Sequence, residues 1–208
     1  MRKLIVQQLV TAAGFVAGPD GGLDFFDAVS DYAEVDEDNL AVLGNVDRIL
    51  LGRRTYEMFV AFWPGAESEA VADAVNTIPK LVFSRTLSSA PWGDWDPARV
   101  ERRGPADIVA ALKREPGADI IVWGSISLCH ELAGADLVDE YQFRVCPVTI
   151  GHGIHLFGPD YRRRNLTLAG IKRLGGIAAL TYVPRDRLPM RAASDGLTNS
   201  SARMRGGK

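Results

Sequence analysis

Small, hydroxyl-bearing and basic residues stand directly after three of the strands that the sequence predicts. They are Gly52, Arg53, Arg54 and Thr55 after the second strand, Ser84, Arg85 and Thr86 after the third, and Gly124, Ser125, Ile126, Ser127 and Leu128 after the fourth. Free backbone N–H groups at the start of a helix bind anions. Guanidinium groups add paired hydrogen bonds to phosphate. The three turns together therefore predict a site for a ligand that carries several separated phosphates.

Each of these turns also has a simpler interpretation when it is considered alone. Gly52 and Gly124 fit ordinary turn glycines, and Ser84 fits a hydroxyl that begins a turn. Arg53 and Arg54 fit solvated surface charges, because arginine in the first turn of a helix opposes the helix dipole. The coincidence of all three turns favours the shared ligand.

The strands that must position these turns are predicted from apolar runs rich in β-branched residues. They span 3–10, 47–51, 80–84, 119–123, 138–147, 166–173 and 177–183, with a weaker strand at 98–102. Helical periodicity separates the strands up to residue 134, which predicts parallel strands with helices on both faces of the sheet. The last strands follow one another directly, which predicts antiparallel additions at one edge. Ligands of such sheets bind beyond the carboxyl ends of the strands.

Two local patterns extend this outline. Leu40, Leu43 and Val46 recur every three residues and predict an apolar stripe on a helix before the second strand. The segment 146–157, CPVTIGHGIHLF, predicts a hairpin made of a strand end, a glycine-flanked turn and a short second strand. His152 and His155 lie in this hairpin without an evident third ligand, so we expect no metal site.

The composition fits one globular domain followed by a different C-terminal end. The chain has 208 residues, of which 47% are apolar and 24% charged, and its formal net charge is −2. This balance gives no bias toward nucleic acid or a membrane as a partner. We predict a folded domain over 1–187 and a disordered, basic tail over 188–208. Cys129 and Cys146 fit reduced thiols of a cytoplasmic protein, with a disulfide between them as the less favoured alternative.

Four motifs in order make the chain resemble a known family. The segments concerned are LLGRRTYEMF, IPKLVFSRTL, VWGSISLCHEL and LVDEYQFRVCPVTIGHGIHLF. The chain resembles the dihydrofolate reductase-like superfamily over about residues 1 to 184. Within it, the closest resemblance is to the C-terminal reductase domain of RibD, the bacterial riboflavin-biosynthesis deaminase-reductase, and its single-domain relatives. The resemblance implies a three-layer α/β fold, with a mixed, mainly parallel sheet, helices on both faces and an antiparallel C-terminal hairpin.

The resemblance also implies that the phosphate-bearing ligand is NADPH. The helix start after Gly52 would face the cofactor's phosphates, and residues 84–86 would hold the adenosine 2′-phosphate. Residues 124–128 would cradle the diphosphate, and Gly14 and Val16 in the loop after the first strand would complete the cofactor contacts. Two hydrogen bonds to the 2′-phosphate contribute about 3–6 kcal/mol, so we expect at least about a hundredfold preference for NADPH over NADH.

The chain departs from the family pattern at several positions. Relatives commonly carry S-L-D-G after the first strand, whereas this chain has TAAG, with Ala13 in place of the aspartate. This departure removes a carboxylate that the riboflavin-pathway reaction would use. Dihydrofolate reductases have a cis Gly-Gly bond where this chain has Gly124-Ser125, so the resemblance allows a cis bond there. The H-x-E and P-C-x-x-C signature of the zinc deaminase half is absent from the sequence.

One acidic residue fits the position of the proton donor in dihydrofolate reductases. Counting back from Gly52 without gaps places Asp36 there, in the acidic segment EVDEDN. The alternative is that Asp36, Asp38 or Asn39 caps the helix or is simply solvated. The resemblance therefore makes Asp36 the candidate catalytic residue, and proton delivery from water stays open beside it.

Aromatic residues predict the substrate side of the site. Phe15, in the loop after the first strand, is placed to close over the nicotinamide together with Val16. Phe59 and Trp63 follow the arginine-rich helix start and fit an aromatic wall for a flat heterocycle, or else ordinary core packing. The relatives also imply a homodimer, for which the apolar segment 138–157 is the predicted contact.

These observations lead to three hypotheses about function. The first is an NADPH-dependent reductase that transfers a hydride to a C=N or C=O carbon of a small heterocyclic or carbonyl substrate. The second is an NADPH-binding module without turnover, which the alanine in TAAG motivates. The third is a flavin-dependent reductase. Stabilisation by NADPH, NADH or FMN distinguishes the cofactors, and turnover distinguishes the enzyme from the module.

Overall fold

The chain folds around a nine-stranded sheet, seen in a computed structural model that describes residues 2–158 and 161–185. The strands are β1 (Leu4–Thr11), β2 (Phe15–Ala17), β3 (Val46–Gly52), β4 (Lys80–Phe83), β5 (Ala90–Trp92), β6 (Trp95–Glu101), β7 (Asp119–Trp123), β8 (Glu140–Cys146), β9 (Ile154–His155), β10 (Leu166–Leu174) and β11 (Ile177–Pro184). The helices are α1 (Ala33–Leu43), α2 (Arg53–Phe62), α3 (Ala72–Thr77), α4 (Pro105–Leu112) and α5 (Ile126–Gly134), with 3-10 turns at Asp24–Ala28 and Trp63–Gly65. The predicted tail, 188–208, lies outside the described residues.

The large sheet has the strand order β10-β11-β8-β1-β7-β3-β4-β6-β5. Its central strands, from β8 to β6, run parallel. At one edge β5 is antiparallel to β6, and at the other β11 and β10 form an antiparallel hairpin. The predicted α/β fold with a mixed, mainly parallel sheet and an antiparallel C-terminal hairpin is therefore confirmed. Within the described part of the chain, no helix is long and apolar enough to cross a membrane.

The alternation of side chains along the central strands fills an apolar core on each face of the sheet. In β7, Ile120 and Val122 point to the face covered by α4 and α5. Ile121 and Trp123 point to the opposite face, which α1, α2 and α3 cover. Full burial of each such side chain contributes about 1.5–3 kcal/mol, so the sheet holds the strand ends in fixed positions.

The prediction of a hairpin over 146–157 is wrong. β9 pairs with β2 in a separate small sheet and does not pair with β8. The reason is that β8 is already bonded to β1 on one side and to β11 on the other, so it has no free edge. β8, within the segment 138–157, therefore lies inside the sheet and not at its edge, and the dimer contact through this segment stays a prediction. The sheet ends on that side at β10, where Leu168 and Ile171 are exposed.

The turn into helix α1 is fixed by Asp31, a residue that the sequence interpretation did not include. The backbone N–H of Ala33 donates to Asp31 Oδ1 at 2.8 Å. The helix ends at Leu43, and Val46 already opens β3, because Gly44 and Asn45 turn the chain back to the sheet. Asp36, Asp38 and Asn39, which the sequence interpretation considered as caps, lie inside the helix, so the prediction of a capping role is wrong.

The cysteines lie on opposite faces of the sheet. Cys129, a residue of α5, packs in the core on one face, and Cys146, at the end of β8, packs beside Val35 of α1 on the other. Both thiols are free and buried, and burial raises the pKa of Cys129 to about 12 and that of Cys146 to about 11. The less favoured disulfide is therefore not formed, because the sheet separates the sulfur atoms.

Candidate cofactor site

The ends of β3 and β7 are joined by hydrogen bonds between their turns. The backbone N–H of Gly52 donates to Ser125 Oγ at 2.8 Å, and the N–H of Ser125 donates to Thr55 Oγ1 at 2.9 Å. Gly124 and Ser125 both have positive φ, 57° and 56°. A Cβ at Gly124 would lie 2.9 Å from Thr55 Cγ2, so only glycine fits against the neighbouring helix.

The cis bond allowed for Gly124-Ser125 is not formed, since every peptide bond in the described residues is trans. Consecutive left-handed residues make the sharp change of direction instead. This conformation is strained for Ser125, which has a Cβ, at a cost of about 1–3 kcal/mol. Its hydroxyl and its N–H are both bonded across to the β3 turn, which holds the strained conformation in place.

The end of β4 joins the same group of turns. Arg53 Nη1 donates to Thr86 Oγ1 at 2.9 Å, while Arg53 Nε bonds Glu57 one helical turn away. Ser84 Oγ accepts from the backbone N–H groups of Thr86 and Leu87 at 3.3 and 3.2 Å, so the turn has a defined shape. All three predicted turns therefore meet at the carboxyl edge of the sheet, because β7, β3 and β4 are adjacent parallel strands.

The first backbone N–H groups of two helices at this edge have no hydrogen-bond partner within their own helix. Helix α2 begins at Arg53 and α5 begins at Ile126, and neither has a side-chain cap. The first N–H groups of each helix therefore point out of the helix ends. Leu128 is buried in the core and Ile126 packs against it, so these residues offer only their backbone to a ligand, whereas Ser127 is exposed.

Arg102 is a residue of this site that the sequence interpretation missed. Its guanidinium donates to the carbonyl oxygens of Arg85 and Leu87, both at 2.7 Å, and so holds the β4 turn from beneath. Arg102 follows β6, which lies next to β4. The sequence predicted only a weak strand at 98–102, so Arg102 was assigned to that strand and not to a turn. Arg54 and Arg85 are exposed, and among the described residues no carboxylate pairs with either of them. Their charges are available to an anion.

Glu101, the last residue of β6, fixes the residues that follow this strand through hydrogen bonds. Its carboxylate accepts from the backbone N–H groups of Arg102 and Arg103 and from the Arg103 guanidinium. These bonds lower the pKa of Glu101 from 4.5 to about 2. The folded chain therefore keeps this carboxylate ionised at a pH where the unfolded chain protonates it. The stabilisation is complete above about pH 4.5 and is lost as the pH falls toward 2.

We expect a Glu101→Gln variant to be about 1–2 kcal/mol less stable at neutral pH, since several bonds to a charged acceptor are weakened. Its stability should also fall less steeply than that of the native protein between pH 5 and pH 3. Urea unfolding followed at a series of pH values measures both effects. The exposed Glu115, at the opposite edge, offers Glu115→Gln as a control with the native profile. An unchanged acid profile in Glu101→Gln would contradict the assignment.

The loop after β1 lies at the same carboxyl edge. Gly14 has φ +83° and donates its N–H to Thr11 O at 2.8 Å, which turns the chain into β2. The ring of Phe15 lies 4.2 Å from that of His155 in β9. Val16 is buried in the core, so its side chain is not free to contact a ligand on the surface. Gly14 and Phe15 are thus placed near the edge, whereas Val16 offers its backbone.

Aromatic side chains cluster on the α1–α3 face below this edge. The ring of Phe59 lies 6.1 Å from that of Trp63 and 6.3 Å from that of Trp123. The cluster packs against the core and reaches the surface through Phe62, which is 52% exposed. The interpretation of Phe59 and Trp63 as core residues is confirmed, and their role as an aromatic wall for a substrate stays a prediction. The sequence interpretation missed Trp123, although its place directly before Gly124 put it at the strand end. Its Nε1 is buried and has no hydrogen-bond partner among the described residues.

Asp36 lies in the first turn of α1 and is half-buried. Burial, and then the neighbouring carboxylates of Glu69 and Asp31, raise the pKa of Asp36. A raised pKa suits a carboxyl group that must hold a proton. Asp38, by contrast, is fully engaged, because it pairs with Arg144 and Lys172. The catalytic role of Asp36 stays a prediction.

Comparison with known families decides which family this chain belongs to. Residues 2–179 match the model of the RibD C-terminal domain. The chain belongs to the RibD C-terminal domain family. The resemblance predicted from the four motifs is thereby confirmed, over nearly the whole range on which it was based.

Relatives of this RibD C-terminal domain protein agree with the assignment. The uncharacterized protein YyaP of Bacillus subtilis is 28% identical over 186 residues, which are 87% of this chain and 94% of YyaP. A putative riboflavin biosynthesis protein from Shewanella sp. PV-4 superposes with a TM-score of 0.72 at 24% identity, covering 88% of this chain and 99% of that one. Dihydrofolate reductase from Enterococcus faecalis gives a TM-score of 0.53 at 12% identity, covering 88% and 97%. The fold is therefore of the dihydrofolate reductase type.

Proposed function

We propose that this protein is an NADPH-dependent reductase that transfers a hydride to a small heterocyclic or carbonyl substrate. The observation that carries the proposal is the convergence of three turns at one edge, joined by the bonds Gly52–Ser125, Ser125–Thr55 and Arg53–Thr86. Two uncapped helix starts and unpaired guanidinium groups form a donor set suited to a diphosphate and a separate phosphate. NADPH, when bound, supplies the hydride.

In this proposal, different residues bind different parts of the cofactor. The N–H groups at the start of α5 hold the diphosphate, and Ser84, Arg85 and Thr86 hold the 2′-phosphate. Arg102 keeps the backbone of that turn in place through its two bonds at 2.7 Å. Phe15 excludes water from the reacting end, and Asp36 holds a proton for the substrate. A cytoplasmic location and a homodimer belong to the same proposal.

Nucleotide stabilisation tests the proposal directly. We expect NADPH to raise the melting temperature of the purified protein, with a stabilisation of about 2.7 kcal/mol at one hundred times Kd. NADH at the same concentration should have a much smaller effect, and FMN none. Stabilisation by FMN alone would favour the flavin-dependent reductase. The absence of stabilisation by any of the three nucleotides would overturn the proposal.

An Arg85→Ala variant should bind NADPH about tenfold to a hundredfold more weakly, because one charge-assisted hydrogen bond contributes about 1.5–3 kcal/mol. Its affinity for NADH should be unchanged, since NADH has no 2′-phosphate. Calorimetric titration with both nucleotides measures the change. Arg114→Ala, an exposed arginine at the amino edge of the sheet, is the matched control. An equal loss of affinity for both nucleotides would show that Arg85 does not contact the 2′-phosphate.

The second candidate function is an NADPH-binding module without turnover. Ala13, exposed at the end of β1 where relatives carry a carboxylate, is the observation that favours it. NADPH oxidation measured against a panel of carbonyl and heterocyclic compounds separates the two functions. Stabilisation by NADPH without oxidation of NADPH against any member of the panel would support the module.

A further inference from the structure

The large sheet has an open edge at β10. This strand is nine residues long and pairs with β11 on one side. Among the described residues, no element pairs with its outer side, so a row of backbone N–H and C=O groups lies free there. Proteins usually protect such an edge with charged side chains, proline or a covering element, because an open edge pairs with another strand.

The two basic side chains of β10 do not protect this edge. Lys172 Nζ donates to Asp38 Oδ1 at 2.5 Å, and Arg173 Nε donates to Gly175 O at 3.0 Å, so both side chains are held by their own chain. β10 contains no proline. The strand at the other edge of the sheet, β5, is only three residues long and contains Pro91. The molecule therefore protects one edge of the sheet and leaves the other open.

Two large apolar side chains are exposed near the middle of β10. Leu168 is 46% exposed and Ile171 is 65% exposed. Leu168 lies opposite Tyr182 and Ile171 lies opposite Leu180, and these partners are two residues apart on β11, so both apolar side chains point to the same face of the sheet. The strand therefore offers apolar side chains directly beside its free backbone groups.

The two ends of β10 lie beside exposed groups of opposite charge. At the end where the strand begins, Arg162, Arg163 and Arg185 are exposed. At the end where the strand turns into β11, the turn lines a shallow cavity together with Asp31 and Glu34, which are also exposed. Within the described part of the chain, no salt bridge joins any of these five side chains to another residue. Their charges are therefore available to a partner.

We propose that β10 is the contact surface between two copies of this chain, which pair edge to edge about a two-fold axis near Gly170. Such an axis makes the two strands antiparallel, so each copy satisfies the free backbone groups of the other. Leu168 and Ile171 of the two copies become cross-strand neighbours. The arginine end of each copy then faces the acidic end of its partner, which is why a second copy fits this edge.

This inference goes beyond the proposed reductase function and does not depend on the cofactor. It assigns the proposed homodimer to β10 and not to the segment 138–157. A contact through one strand edge is small, below about 1,200 Å² of total buried surface, so we expect a dimer that dissociates on dilution.

Sedimentation velocity of the purified protein without nucleotide, over a range of concentrations, tests the proposal. Ile171→Lys should raise the dissociation constant of the dimer at least about tenfold, because it places a charge in the middle of the contact. Met58→Lys, which changes a 46% exposed side chain of α2 in the same way, should leave the constant unchanged. A monomer at every concentration, or an equal effect of the two substitutions, would overturn the proposal.

Two charge reversals test the antiparallel orientation. Glu34→Arg and Arg163→Glu change exposed side chains, and each variant alone brings like charges together at both ends of the contact. Each should therefore dimerise several-fold more weakly than the native protein. An equimolar mixture of the two variants should form a mixed dimer as tight as the native one, since each end then joins an arginine to a glutamate. The absence of any gain on mixing would contradict the proposed pairing.

NADPH binding keeps this test separate from that of the proposed function. The cofactor turns follow β3, β4 and β7, whereas β10 lies at the edge of the sheet. The monomeric Ile171→Lys variant should therefore be stabilised by NADPH as much as the native protein is. A native protein that NADPH does not stabilise would overturn the reductase proposal and leave the expected dimer unchanged.

Discussion

An Asp38→Ala variant is expected to lose about 3–5 kcal/mol of unfolding free energy, because it leaves the buried Arg144 without its counter-charge. Asp38 bonds Arg144 of β8 through one carboxylate oxygen and Lys172 of β10 through the other. Both Asp38 and Arg144 are buried, whereas Lys172 is exposed. Burial lowers the pKa of Arg144, and Asp38 opposes this change. Denaturant unfolding of the native and variant proteins measures the loss.

A double variant provides the control for this ion pair. Asp38→Leu combined with Arg144→Met removes both charges and should recover most of the lost stability, since buried pairs replaced by apolar groups are often neutral. The exposed pair Arg53–Glu57 is the contrast, and Glu57→Gln should cost less than about 0.5 kcal/mol. If Asp38→Ala lowered the free energy of unfolding no more than Glu57→Gln does, the ion pair of Asp38 and Arg144 would not be the contact that holds α1 against the sheet.

The second large effect is expected at the β7 turn, where Gly124→Ala should destabilise the protein by about 2–4 kcal/mol. A residue with a Cβ at φ +57° costs about 1–2 kcal/mol, and the new Cβ would also lie 2.9 Å from Thr55 Cγ2. The displaced Thr55 would release the N–H of Ser125 and alter the start of α5. NADPH should then no longer raise the melting temperature. Thermal unfolding with and without NADPH measures both consequences.

Two further substitutions separate the clash from the backbone strain. Thr55→Ser in the Gly124→Ala background removes the clashing methyl group and keeps the hydroxyl that accepts from Ser125, so it should recover part of the stability and of the NADPH effect. Gly134→Ala is the control, because a Cβ there meets nothing within 4 Å. It should change stability by no more than about 0.5 kcal/mol. No recovery in the double variant would assign the whole effect to strain at Gly124.

The cofactor turns illustrate what could be predicted from local sequence. Each strand before them is a short apolar run, and each turn contains glycine, serine or arginine within three residues of the strand end. Strands that alternate with helices become parallel neighbours, so their carboxyl ends meet at one edge. The convergence of Gly52, Ser84 and Gly124 follows from these patterns. Their role in binding a nucleotide stays a prediction.

The partners of β8 and β9 illustrate what local sequence did not decide. The segment 146–157 has the glycines of a hairpin, but β8 already has β1 and β11 as neighbours. β9 instead pairs with β2, which precedes it by more than a hundred residues. Whether a strand has a free edge depends on the whole sheet, and no window of sequence contains that information.

The sequence by itself indicated the family, through four motifs in order. It also determined eight strands of the large sheet and the turns that follow them, because periodicity, glycine and helix-start residues act over a few residues, whereas the short strands β2 and β5 were missed. Only the tertiary structure decided which polar groups obtain partners. It bonded Arg102 to the β4 turn and joined Asp38 to Arg144 and Lys172. Within the described part of the chain, it left Asn39 Oδ1 and Trp123 Nε1 buried without hydrogen-bond partners. Hydrogen bonds and ion pairs of this kind join residues far apart in sequence, so their pairing follows from packing.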